Sequence, residues 1–83
     1  MACYAYLTSE EAIAQIDDCE RRNVLVLDID VFTKTPTMTK PHLEHTLDMS
    51  RLTDVAAMAS AARDHVMRLA VFPFHFEVIA DED

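Results

Sequence analysis

Asp28 and Asp30 are the residues of this chain whose types and spacing come closest to a chemical site. Two positions apart on a strand, their carboxylates project from one face, an arrangement that can hold Mg²⁺. A second group lies at Pro41-His42-Leu43-Glu44-His45, with two imidazoles and a carboxylate in five residues. Histidines three apart share a face on a helix but point oppositely on a strand, and this segment has strand or loop character. Chelation there is not expected. His65 and His75 fall in other elements, and no cysteine pair at short spacing completes a zinc pattern. Cys3 or Cys19 beside a histidine would form a nucleophile and its base. Cys19, however, falls on the apolar stripe of a helix, where a buried thiol is inert.

The run V-L-V-L-D-I-D-V-F-T, residues 24–33, resembles the first motif of haloacid-dehalogenase-type phosphatases. It also resembles the first acidic motif of ribonuclease-H-like exonucleases. The phosphatase resemblance implies Asp28 as nucleophile and Asp30 as acid/base in a Mg²⁺-dependent phosphatase, and the second resemblance implies a nuclease centred on the same pair. It covers ten residues. Those phosphatases also use a glycine-dependent turn or flap, a downstream lysine and a doubly wound sheet, and this chain has no glycine at all. The same absence rules out dinucleotide fingerprints, P-loops and EF-hand loops, which need positive φ or close backbone approach to a ligand. The alternative role for Asp28 and Asp30 is two solvated acids that keep an exposed sheet face from sticking to others.

The elements that must position these residues follow from periodicity. Cys3 to Leu7 alternates as a strand, with Tyr4 and Tyr6 on one face and Cys3, Ala5 and Leu7 on the other. Thr8 and Glu11 form a capping box, followed by Ala12, Ile13, Ile16 and Cys19 at helical spacing. With no glycine for a left-handed cap, Asn23 is the expected stop. Val24 to Phe32 predicts a strand with Leu25, Leu27, Ile29 and Val31 inward and Val24, Val26, Asp28, Asp30 and Phe32 outward. Met38 to Leu47 is a weaker strand, limited by Pro41. A second helix is predicted from near Asp48 or Ser50 to about Val66, burying Leu52, Val55, Ala56, Ala59, Ala62 and Val66. Arg68 to Ala80 is strongly β, with Phe72, Phe74, Phe76 and Val78 on one parity and Leu69, Val71, His75 and Ile79 on the other. Pro73 assigns it to an edge.

The order β-α-β-β-α-β predicts one domain over residues 1–83. Its class is an α+β, ferredoxin-like two-layer sandwich, an antiparallel sheet with both helices on one face. Residues 81–83 are expected to be a frayed acidic tail. Two outcomes follow for the uncovered face: a large apolar patch, and a homodimer or partner complex made through that face or the edge strand. Tyr4, Tyr6, Phe32, Phe72, Phe74 and Phe76 are the interface candidates. Met38, Met49, Met58 and Met67 are expected to be packing residues.

Net charge is −8, unevenly spread. Seven acids (Glu10, Glu11, Asp17, Asp18, Glu20, Asp28, Asp30) stand against Arg21 and Arg22 between positions 10 and 30, and four more close the chain from Glu77. Such a surface repels phosphate backbones, so direct nucleic-acid binding is not expected and a basic protein partner is. No basic, apolar leader precedes Ala2, and no apolar run approaches the ~20 residues of a membrane span. A cytoplasmic protein with two reduced cysteines and no cofactor is the expectation. The leading function is a small acidic interaction module that blocks a basic, nucleic-acid-binding surface through Glu10, Glu11, Asp17, Asp18, Glu20, Asp28 and Asp30. Inhibitors of host defence carried by phages and mobile elements, of the anti-CRISPR or DNA-mimic type, share its size and charge. The alternatives are the Mg²⁺-dependent phosphatase or nuclease and a regulatory subunit of a bacterial complex.

Overall fold

The computed structural model describes residues 1–82. The chain runs β1 (Ala2–Leu7), α1 (Ser9–Arg21), β2 (Val26–Lys34), β3 (Thr39–Pro41), a 3-10 turn (Leu43–His45), β4 (Leu47–Asp48), α2 (Val55–Leu69) and β5 (Phe74–Ala80). All strand pairs are antiparallel, in the order β1-β5-β2-β3, with β4 also on β2. This is the α+β, ferredoxin-like arrangement expected from the element order, with β3 and β4 together serving as the third strand.

Local chemistry explains both ends of α1. Thr8 Oγ1 accepts from the Glu11 amide at 3.2 Å while Glu11 Oε1 accepts from the Thr8 amide at 2.9 Å. That reciprocal box satisfies two otherwise unpaired donors and holds the Glu11 carboxyl below the usual carboxylate range. Thr8→Ala is expected to cost about 1 kcal/mol in chemical denaturation; an unchanged midpoint would remove the box from the list of stabilising contacts. At the other end Asn23 takes φ 60°. Its amide donates to the Glu20 carbonyl at 3.0 Å, and the Val24 amide donates to the Cys19 carbonyl at 2.8 Å. These are the two bonds of a Schellman stop, made with asparagine in place of glycine.

One core lies between the helices and the sheet. Ala12, Ile16 and Cys19 of α1 meet Met58, Ala59, Ala62, Val66 and Leu69 of α2 over Val26, Ile29, Val31, Phe76, Val78 and Ala80. Met49 closes the same cluster, whereas Met38 and Met67 are exposed. Arg63 of α2 reaches Asp17 and Glu20 of α1, both at 2.8 Å, and ties the helix pair at its rim.

Several expectations are corrected. The last strand is central, not at an edge: β5 lies between β1 and β2. Pro73 precedes Phe74, the first residue of β5, so no ladder bond is lost. The third strand is the edge, which is why Pro41 fits within β3. α2 starts at Val55 because the chain first turns at residues 50–51, with Asp48 Oδ1 accepting from the Ser50 amide at 2.9 Å, and residues 52–54 follow without regular structure. Its buried stripe is therefore shifted, leaving Leu52 and Ala56 exposed. The two cysteines are free thiols, as expected, with Cys3 exposed and Cys19 buried.

Asp81 and Glu82, two residues of the acidic end, bond back to the fold. The Asp81 amide donates to the Leu25 carbonyl at 2.9 Å. Glu82 accepts from the Tyr4 hydroxyl, and from Arg22 Nη1 at 2.7 Å. Asp83 lies outside the described residues.

Candidate functional site

The sheet face away from the helices is built from the register of four strands. A bulge in β2, between Val26 and Asp28, decides which side chains reach it. Before the bulge Val26 turns into the core; after it Ile29 and Val31 do. Asp28, Asp30 and Phe32 therefore stand on the open face, and Val26, expected beside them, does not.

Register then sets their neighbours, because directly opposed residues share a face. Asp28 stands opposite Ile79 of β5 and Asp48 of β4, with Cys3 of β1 beyond Ile79. Asp30 stands opposite Glu77 and accepts weakly from Thr46 Oγ1 at 3.4 Å. Phe32 stands opposite His75 and Pro41. The middle of the face is thus a patch of four carboxylates, Asp28, Asp30, Asp48 and Glu77. Ile79 and Cys3 border it at one end, Phe32 and His75 at the other. The large apolar patch expected here is absent: the odd parity of β5 supplies His75, Glu77 and Ile79, all half-buried.

Crowding leaves its mark on protonation. Burial first, then the Asp30 and Asp48 charges, push the Asp28 carboxyl up to about 6. Burial, then a hydrogen bond with Asp30 and the charges of Asp30 and Asp28, raise Glu77 as well. The side chain and amide of Ser50 hold Asp48 below its ordinary range. Asp28 Oδ1 and His75 Nδ1 are buried without a hydrogen-bond partner. Among the described residues none of the four carboxylates is in an ion pair, and no three His, Cys, Asp or Glu side chains converge as metal ligands. No pocket opens among those residues either.

The acids of α1 stand differently. Glu11 is spent in the capping box. Asp17 and Glu20 both hold Arg63, and Asp18 holds Arg21 and Arg22. Of the five acids singled out on this helix, Glu10 alone has no such partner among the described residues. Five positive or capping contacts therefore engage the acids of α1, while among the described residues the open-face acids make no ion pair and only Asp30 and Asp48 accept a hydrogen bond from outside the patch, from Thr46 and Ser50.

The aromatic candidates separate. Tyr4 shares the core side with Val78, its opposite residue, and packs against the core. Tyr6 does not join it, because β1 loses register between Tyr4 and Leu7 and Tyr6 takes φ 56°. Its ring meets Phe32 edge-on at 5.3 Å across the strand that carries His75, with Lys34 Nζ 5.1 Å from the ring centre. Phe76 is fully buried in the core and is not available to an interface; Phe74 packs against the core and Phe72 is exposed.

The histidines do not form one site. His42 and His45 flank Phe74, with ring centres 5.0 and 5.5 Å from it. His65 Nε2 bonds the His45 carbonyl, and His42 bonds Thr33 and Glu44. His75 is on the other face of the sheet.

Sequence reasoning missed Asp48 and Glu77. Asp48 looked like a helix start, and only the β2–β4 register brings it to Asp28. Glu77 did carry a signal, as the one acid within an otherwise apolar strand. No helix of the described residues is long and apolar enough to cross a membrane. No family model matches the chain, and neither a curated protein nor a solved structure matches it.

Proposed function

We propose that this chain is a small interaction protein whose helix-free sheet face docks a basic, nucleic-acid-binding surface of a macromolecular partner. The observation that carries this reading is the contrast between the two acidic regions. Glu11, Asp17, Asp18 and Glu20 of α1 are engaged within the chain, whereas Asp28, Asp30, Asp48 and Glu77 lie together on the open face and, among the described residues, are in no ion pair. Such a patch costs the free protein self-repulsion, and a partner's arginines and lysines relieve it. Flanking Ile79, Phe32 and Tyr6 supply the apolar contact that a purely electrostatic encounter lacks. An inhibitor of the DNA-mimic or anti-CRISPR kind is the form of this function in which the blocked surface belongs to a defence enzyme.

A labelled oligo-arginine peptide, followed by fluorescence anisotropy, tests the face directly. Asp30→Asn with Glu77→Gln is expected to weaken binding at least tenfold, about 1.4 kcal/mol. Glu10→Gln with Asp54→Asn removes the same net charge elsewhere and is expected to change it far less. Equal losses from the two pairs would mean that net charge alone attracts the peptide, and the face would carry no special role.

A further inference from the structure

The two edges of the sheet differ in how they are protected. The β3–β4 edge is broken into strands of three and two residues, interrupted by a 3-10 turn, and carries Lys40 and Pro41. Those are common ways of keeping an edge from accepting another strand. The β1 edge has neither the lysine nor the proline. Residues 1–7 contain no charged side chain and no proline, among the described residues β1 pairs with β5 alone, and Cys3, Ala5 and Tyr6 along it are exposed. Its irregularity between Tyr4 and Leu7 limits what can be added but leaves Ala2 to Ala5 extended beside solvent.

We infer that the β1 edge is a self-association surface, on which the β1 of a second copy adds antiparallel about a two-fold axis. Charge selects the surface through which two copies can meet. Two copies each carrying −8 repel, and meeting through the open face would set four carboxylates against four. Along β1 the copies meet without any opposed charge. An antiparallel pair about a two-fold is self-complementary, so each free amide of one strand finds a carbonyl of the other. Keeping the helices of both copies on one side of the joined sheet requires Cys3 to face Cys3 or Ala5 of the second copy, since a one-residue slip inverts the faces. The joined strands are short, so the dimer is a weak one that forms at micromolar concentrations. Its acidic faces then lie side by side on one surface, which presents a basic partner with two patches rather than one.

Sedimentation equilibrium of the whole chain between about 10 and 200 μM tests this, at about 0.05 and 0.5 M salt. A neutral contact between two like-charged molecules tightens as salt screens their repulsion, so the dimer fraction is expected to rise several-fold with salt. Docking of a basic peptide on the open face weakens over the same range, so the two surfaces are told apart by the sign of the response. Ala5→Lys is expected to leave a folded monomer at both salt concentrations. Cys3→Lys serves as the second variant, with circular dichroism confirming that each is folded. A wild-type chain that stays monomeric at about 200 μM in high salt overturns the inference. So does a dimer that survives both lysine variants.

Discussion

Phe76→Ala is expected to lower the unfolding free energy by about 3–5 kcal/mol, the cost of emptying a fully packed aromatic site. Phe76 has no exposure, sits in a central strand and belongs to the same buried cluster as the core residues of both helices. A domain of this size has a total stability of about 5–10 kcal/mol, so the variant will be close to unfolding at 37 °C. Phe72→Ala provides the contrast. Phe72 lies on the same parity but is 52% exposed ahead of β5, and its loss should stay near ~0.5 kcal/mol. Urea midpoints of the two variants check both figures. Similar losses would mean that the core does not centre on β5.

Asp28→Asn is expected to act in the opposite direction and to depend on pH. The folded chain holds the Asp28 proton up to about 6, whereas an unfolded chain releases it near 3.9. Folding is therefore favoured by this group below the unfolded value, and that contribution is lost as pH rises through about 6. At pH 7 the ionised carboxylate is a net cost of about 1 kcal/mol once solvent screening of a partly exposed group is allowed for. Asparagine removes that cost, so the variant's Tm should exceed the wild type's by about 4–8 °C at pH 7 and match it near pH 3. Glu77, raised by the same neighbours, steepens the wild-type profile in the same sense. Equal melting curves at pH 7 would show that the face stores no repulsion. A residue that lowers stability where its replacement raises it is the kind retained for binding rather than folding.

Much of the local structure was legible in the residues because it rests on neighbours in sequence. The Thr8–Glu11 box, the Asn23 stop and the β-α-β-β-α-β order all depend on patterns spanning a few positions. Strand order and register were not legible, since they depend on which edges meet. Pro41 and Pro73 each argued for an edge, yet one lies in an edge strand and the other just outside a central one. The bulge between Val26 and Asp28 was equally hidden. V-L-V-L-D-I-D-V-F alternates without a break, and only packing against β5 forces the extra residue. That residue took Val26 off the face on which Asp28 and Asp30 were expected and turned it into the core. The pairing of Arg63 with Asp17 and Glu20, more than forty positions away, was hidden for the same reason. It takes Asp17 and Glu20 out of the expected contact set and leaves its sheet members, Asp28 and Asp30.

The central place of β5 also governs the order in which the protein can be made. Until residues 74–80 have left the ribosome, β1 and β2 have no shared neighbour, and each exposes a full row of amides and carbonyls. α1 and α2 can form during synthesis, but the sheet they cover closes only when its last strand inserts between two waiting edges. A nascent chain that has not yet released β5 therefore leaves β1 apart from the β2–β3–β4 unit, open to strand exchange with its neighbours on the same message.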